Sequence, residues 1–175
     1  MKIAQAVVAL LLVASSFTNA QSPSTEHRSV HDQIVGTWKL VSTEEKLRDG
    51  TTRPYPDIGP NAVGYLMYTA DGHMCACLMK PSRPLWHSEY PTDAEKISSG
   101  SGFTAYCGTY SVDEKNAVIV HYPEVSYEPN RLDTEQRRPY RFEGGHLIFS
   151  DVKPNGEVQS WKIVWEKAPA TPSQK

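Results

Sequence analysis

The 175-residue chain holds only three cysteines, which leaves room for one disulfide at most. It also lacks a charge bias: the net charge is −2, and lysines and arginines are scattered apart from the pair Arg137-Arg138. No basic stripe argues for nucleic acid, and no basic amphipathic helix argues for a membrane surface. There is no phosphate-cradling loop, no dinucleotide fingerprint, no G-x-S-x-G elbow and no H-E-x-x-H helix, so ordinary hydrolase and kinase chemistry has no motif to stand on. No internal repeat or linker divides the chain. Helix signals are sparse, and only one long apolar run occurs, at the very start.

That run, residues 3–13, follows Lys2 and is interrupted only by Gln5. Small and polar residues follow, ending in Thr18-Asn19-Ala20, which places small side chains where a signal peptidase reads them. Residues 1–20 read as a secretory signal peptide cleaved before Gln21, which implies a secreted or periplasmic protein with no membrane insertion after cleavage. The run is shorter than the ~20 residues a spanning helix needs, and no second one follows. The polar composition of residues 21–30 and 168–175 predicts flexible ends. Residues 31–167 remain as one domain, long enough to bury a sizeable core.

Within that domain strand signals dominate. Residues 31–35 suit a short helical turn. Residues 36–47 alternate with period two, with Trp38, Leu40 and Ser42 on one face and Lys39, Val41 and Thr43 on the other. Asp49-Gly50 is a hairpin-type turn signal, and three prolines make residues 53–60 a loop. Residues 63–69 and 73–79, joined by Asp71-Gly72, form the clearest hairpin. A long irregular insert, residues 81–102, carries one helix signal, in which Thr92 caps residues 92–97 and Glu95 completes a capping box. Strands are predicted again over residues 103–112, 117–122 with a bulged continuation beyond Pro123, 136–142, 146–151 and 158–166. The last alternates Trp161, Ile163 and Trp165 against Lys162, Val164 and Glu166.

Eight or nine short strands joined mostly by tight turns predict an all-β, antiparallel, up-and-down arrangement, either a barrel or a sandwich. Several strands are apolar on both faces: Tyr65 and Met67 oppose Leu66 and Tyr68, while Cys75 and Cys77 oppose Met74, Ala76 and Leu78. A sheet with one solvated face alternates more cleanly. A barrel fits better, and eight strands enclose either packed side chains or one small ligand.

Particular residues now resemble a known family. Gly36-Thr37-Trp38-Lys39-Leu40-Val41-Ser42 is similar to the Gly-x-Trp opening strand of lipocalins. Residues 63–74, Lys80-Pro81-Ser82-Arg83-Pro84, residues 105–113 and residues 121–130 resemble the bacterial and fungal lipocalin-like domain family. The resemblance spans residues 34–167 and implies a lipocalin-like, calycin-type β-barrel with a short N-terminal helical turn. Most such proteins have no assigned activity. Some in natural-product pathways are thought to be isomerases or cyclases acting on bound polyketide or terpenoid intermediates. The pattern departs at Arg131, where an aromatic residue is usual.

Candidate functional residues follow from the chemistry a small-molecule pocket needs: apolar walls with a few polar fixings, which Tyr65, Tyr68, Tyr106, Tyr110 and Tyr122 could supply as rings with a polar tip, or spend on ordinary core packing. Tyr65, Met67, Tyr106, His121, Ser126, Asn130 and Trp86 are the expected ligand contacts, Trp86 because it sits with His87 in an insert long enough to act as a lid. Gly36 and Trp38 are structural, with Trp38 plugging one end beneath a cation from Lys162 or Lys167. His121, between Val120 and Tyr122, is the candidate proton-transfer residue, with Glu124 as its carboxylate partner. Strict alternation separates those two unless Pro123 introduces a bulge.

Cys75 and Cys77, two apart on one strand, lie too far apart to bridge comfortably. Either one of them, Cys77 being the chosen candidate, pairs with Cys107, or all three stay reduced. His73, Cys75 and Cys77 span ~13 Å along a strand, too far for one tetrahedral ion, so neither a metal nor a cofactor is expected. The expected partner is a small hydrophobic molecule. The leading reading is a secreted binding protein. The alternatives are an isomerase or cyclase using His121, and a structural or interaction barrel with a filled interior.

Overall fold

The computed structural model describes residues 28–170. The expected signal peptide and parts of both expected flexible ends lie outside the described residues. The described chain forms α1 (Val30–Ile34), β1 (Gly36–Leu47), β2 (Thr52–Arg53), β3 (Val63–Tyr68), β4 (His73–Met79), α2 (Asp93–Gly100), β5 (Phe103–Asp113), β6 (Val118–Ser126), a 3-10 turn (Pro129–Arg131), β7 (Gln136–Glu143), β8 (His146–Val152) and β9 (Val158–Lys167). Every strand pairs antiparallel with its neighbours. The order β1-β3-β4-β5-β6-β7-β8-β9 closes through β1 and β9 into an eight-stranded barrel, and β2 adds a two-residue edge. Closure removes the exposed edges that an open sheet leaves.

The two ends of the barrel differ. At one end the connections are tight, through Asp71-Gly72, residues 114–117 and Gly144-Gly145. Gly36 turns the chain there with φ +120°, a conformation side chains rarely adopt. α1 covers this end, with Ser29 capping it and Ile34 buried. Trp38 plugs the floor. Its indole Nε1 donates to the Ile34 carbonyl at 2.7 Å, and the Lys167 ammonium lies 4.1 Å from its ring centroid. Such a cation over an indole contributes ~0.5–2 kcal/mol. Lys162 instead pairs with Glu44 at 2.5 Å. At the other end lie the long β4–β5 insert, the β6–β7 connection and residues 54–62, and this end is the mouth.

Two bulges decide which side chains face inward. In β1 the register with β9 shifts between Leu40 and Ser42, so Val41 is an extra, exposed residue. Beyond it Thr43, not Ser42, is buried, which corrects the strict alternation expected for that strand. In β5–β6 the shift falls between Cys107 and Gly108: Gly108 faces Pro123, Cys107 faces Val125, and Glu124 is the extra residue. A side chain on Gly108 would meet the Tyr122 carbonyl oxygen at 2.0 Å, so the close approach of β5 and β6 needs glycine there.

The disulfide joins Cys75 to Cys107, not Cys77 to Cys107. Register is the reason: Cys75 stands directly opposite Cys107, whereas Cys77 stands opposite Ala105. Cys77 remains an exposed thiol.

Candidate ligand-binding site

The interior is not filled. A cavity of about 840 Å³ runs from the mouth into the barrel, within the range of ordinary small-molecule sites. Its depth follows from the parity of the inward residues. Leu66 on β3, Ala76 and Leu78 on β4, and Phe149 on β8 supply apolar wall. Trp161, Ile163 and Trp165 on β9 continue it. Opposite them, three adjacent strands supply the polar groups: Tyr106 on β5, His121 on β6 and Arg138 on β7. Phe149 and the β9 residues thus make an apolar stretch facing the hydrogen-bonding groups of β5–β7, and Glu45, Asp57, Lys80, Asp151 and Lys153 add charged groups elsewhere on the lining.

At its centre, His121 is 1 % exposed and bonds two phenols. Its Nε2 lies 2.6 Å from the Tyr68 hydroxyl, and its Nδ1 lies 2.8 Å from the Tyr106 hydroxyl. Burial, reinforced by the charge of Arg138, holds the imidazole well below its ordinary pKa, so the ring is neutral at pH 7. Burial likewise pushes the Tyr68 phenol well above its ordinary value. A neutral imidazole has one donor and one acceptor nitrogen, and the surroundings decide which is which. Tyr68 is 1 % exposed, and its hydroxyl has no acceptor among the described residues except the histidine. A buried hydroxyl proton without an acceptor costs about 1–3 kcal/mol. Tyr68 therefore donates to Nε2, Nδ1 carries the hydrogen and donates to the Tyr106 oxygen, and the Tyr106 proton is left to donate into the cavity it lines.

Arg138 has no carboxylate partner among the described residues. Its guanidinium reaches only neutral oxygens at the long limit, the Arg137 carbonyl and the Gln136 Oε1, both at 3.4 Å, and lies 5.8 Å from the Trp161 ring centroid. The other two arginines on the cavity wall are paired. Arg131 contacts Glu128 at 2.8 Å and lies over the Tyr106 ring, and Arg137 contacts Glu135 at 3.8 Å. Burial pushes the Glu128 carboxyl up, but its hydrogen bonds from Arg131 and Thr104 outweigh this and hold it below the usual range.

Of the residues expected to contact a ligand, Tyr106 and His121 lie on the cavity wall. Tyr65 and Met67 do not: they point outward and are 51 % and 41 % exposed, because β3 is held in register with Trp38 through Leu66. Ser126 lies past the bulge, where its hydroxyl accepts from the Glu128 backbone N–H. Asn130 is exposed on the 3-10 turn. Trp86 is half exposed, and its indole donates to Ser99 within the insert rather than closing over the mouth. The expected His121–Glu124 pair does not form. The bulge beyond Pro123 is present, but Glu124 is its extra residue and turns to the outer surface beside Met67 and Val125. Tyr68, one of the five candidate tyrosines, supports the site through His121, whereas Arg138 was not expected as a site residue. Arg138 had one available signal, the alternation Gln136-x-Arg138-x-Tyr140 on a strand whose neighbouring residues are charged.

A closed eight-stranded antiparallel barrel, plugged at one end by a tryptophan and hollow towards the other, defines the calycin type of small-molecule-binding barrel. Residues 35–168 match the lipocalin-like domain family, and the chain belongs to that family. No curated protein matches the sequence.

Proposed function

We propose that this is an exported protein that holds a small, largely apolar or amphipathic organic molecule inside its barrel. The observation that carries the reading is the cavity of about 840 Å³, with an apolar stretch of Phe149, Trp161, Ile163 and Trp165 and convergent polar groups on β5–β7. Export is supported by the signal-like first 20 residues of the sequence and fits a domain with a cross-strand disulfide. Native mass spectrometry of protein purified from its own source tests the reading: a co-purifying small molecule is expected. Absence of one, together with no hit in a metabolite and fatty-acid panel, would remove it.

The phenol–imidazole–phenol chain favours a second reading, an isomerase or cyclase in which Tyr106 polarises a bound carbonyl. A neutral His121 then keeps the Tyr106 proton aimed inward and does not act as the base. Under this reading Tyr106→Phe abolishes turnover while leaving substrate affinity within a few-fold. Equal loss of both would reduce Tyr106 to a binding contact.

A further inference from the structure

Cavities that take purely apolar molecules do not need a guanidinium on the wall. Arg138 is therefore a group that apolar binding alone does not explain. It stands on β7 opposite Ile119 of β6, without a carboxylate, while Arg131 and Arg137 have theirs. A guanidinium left with only two long contacts to neutral oxygens keeps most of its five donors for another acceptor. Two strands away, Tyr106 aims a proton into the same space, because Tyr68 and the His121 tautomer use up every other arrangement of that chain. Both groups offer hydrogens to the cavity.

We infer that the ligand of this barrel is an acid: an apolar body carrying one carboxylate, which Arg138 neutralises and to which Tyr106 donates. The inference rests on the proposed binding role of the cavity and gives its ligand a chemical class. The apolar body lies along Phe149, Trp161, Ile163 and Trp165. The carboxylate faces β5–β7, where a charged donor and a neutral donor meet it on one wall. Charge-assisted, fork-shaped contacts of arginine to a carboxylate are among the strongest single polar contacts available. An alcohol or ester of the same chain offers no charge to Arg138 and leaves the guanidinium unpaired when the cavity is filled.

The test is a matched pair of probes, decanoate and decanol, titrated into the full-length mature protein at neutral pH. The change in tryptophan fluorescence as the probe enters beside Trp161 and Trp165 is the readout. Decanoate is expected to bind about tenfold or more tighter than decanol, a difference of about 1.4 kcal/mol. In Arg138→Gln the preference falls to about twofold or less, because decanoate loses its charged partner and decanol no longer leaves a guanidinium unpaired. In Tyr106→Phe decanoate affinity falls by about threefold to tenfold. Equal binding of both probes by the unmodified protein overturns the acid inference and leaves cavity binding standing. Binding of neither overturns both. An acid preference that survives Arg138→Gln, with the variant's circular dichroism and melting temperature intact, overturns the assignment to Arg138.

Discussion

The neutral state of His121 is the central electrostatic fact at the scale of single residues. Its folded pKa lies below the unfolded value of about 6.5, so below that pH the unfolded chain binds a proton that the folded chain refuses. Stability from this group is therefore fully present above about pH 6.5 and is lost as the pH falls further, at up to about 1.4 kcal/mol per pH unit. Urea unfolding at pH 7 and pH 5 should show a drop that His121→Gln largely removes. An unchanged drop in that variant would place the acid sensitivity elsewhere. The groups facing this ring are Tyr68 from β3, Tyr106 from β5 and Arg138 from β7, and none is a carboxylate that would stabilise the imidazolium. Tyr68→Phe leaves Nε2 without its donor and should destabilise the fold by about 1–3 kcal/mol in the same assay. His121 was legible in the sequence as a histidine among apolar neighbours. Its partners were not, because a tyrosine and a histidine 53 residues apart meet only across the barrel.

Between strands, the β5–β6 bulge is the element that sets the site. It turns Glu124 outward while keeping His121 inward. Gly108→Ala should strain the bulge against the Tyr122 carbonyl and lower the melting temperature by several degrees, an effect of about 1–3 kcal/mol. The disulfide makes a second prediction about elements. Cys75 and Cys107 tie β4 to β5 across a separation of 32 residues that contains the whole insert with α2. Removing the bridge by Cys75→Ser should cost about 2–4 kcal/mol, whereas Cys77→Ser should be nearly silent. Alkylation of the native, unreduced protein should modify Cys77 alone, as read by peptide mass mapping. Strand positions were readable from the sequence because Asp71-Gly72 and Gly144-Gly145 mark turns and the runs between them are strand-forming. The capping box of Thr92 and Glu95 was readable too, because it is local. Glu95 accepts from His87 and from Thr92, which together hold its carboxyl down to about 2.

The whole molecule works through closure. Pairing of β1 with β9 along nearly their full lengths makes a tube. Tight turns and α1 seal one end with Trp38, and the longer connections leave the other end as the way in. A ligand that binds only the closed tube must stabilise it. At a free concentration a hundredfold above its dissociation constant, stability should rise by about 2.7 kcal/mol, visible as a higher melting temperature. The outer surface keeps some apolar character, with Val41, Val63, Tyr65 and Met67 substantially exposed. This is why several strands read as apolar on both faces.

Composition, turn signals and alternation by themselves determined that this chain is antiparallel and all-β, because those features act over a few residues at a time. Which of two alternating faces looks inward is a different kind of question. It depends on register and on single extra residues such as Val41 and Glu124, and one such residue reverses the facing of everything beyond it. Only the tertiary structure decided that Tyr68 and Arg138 line or support the cavity, that Tyr65 and Met67 face outward, and that Cys75 rather than Cys77 meets Cys107. The pairing of distant strands, not local preference, sets those positions.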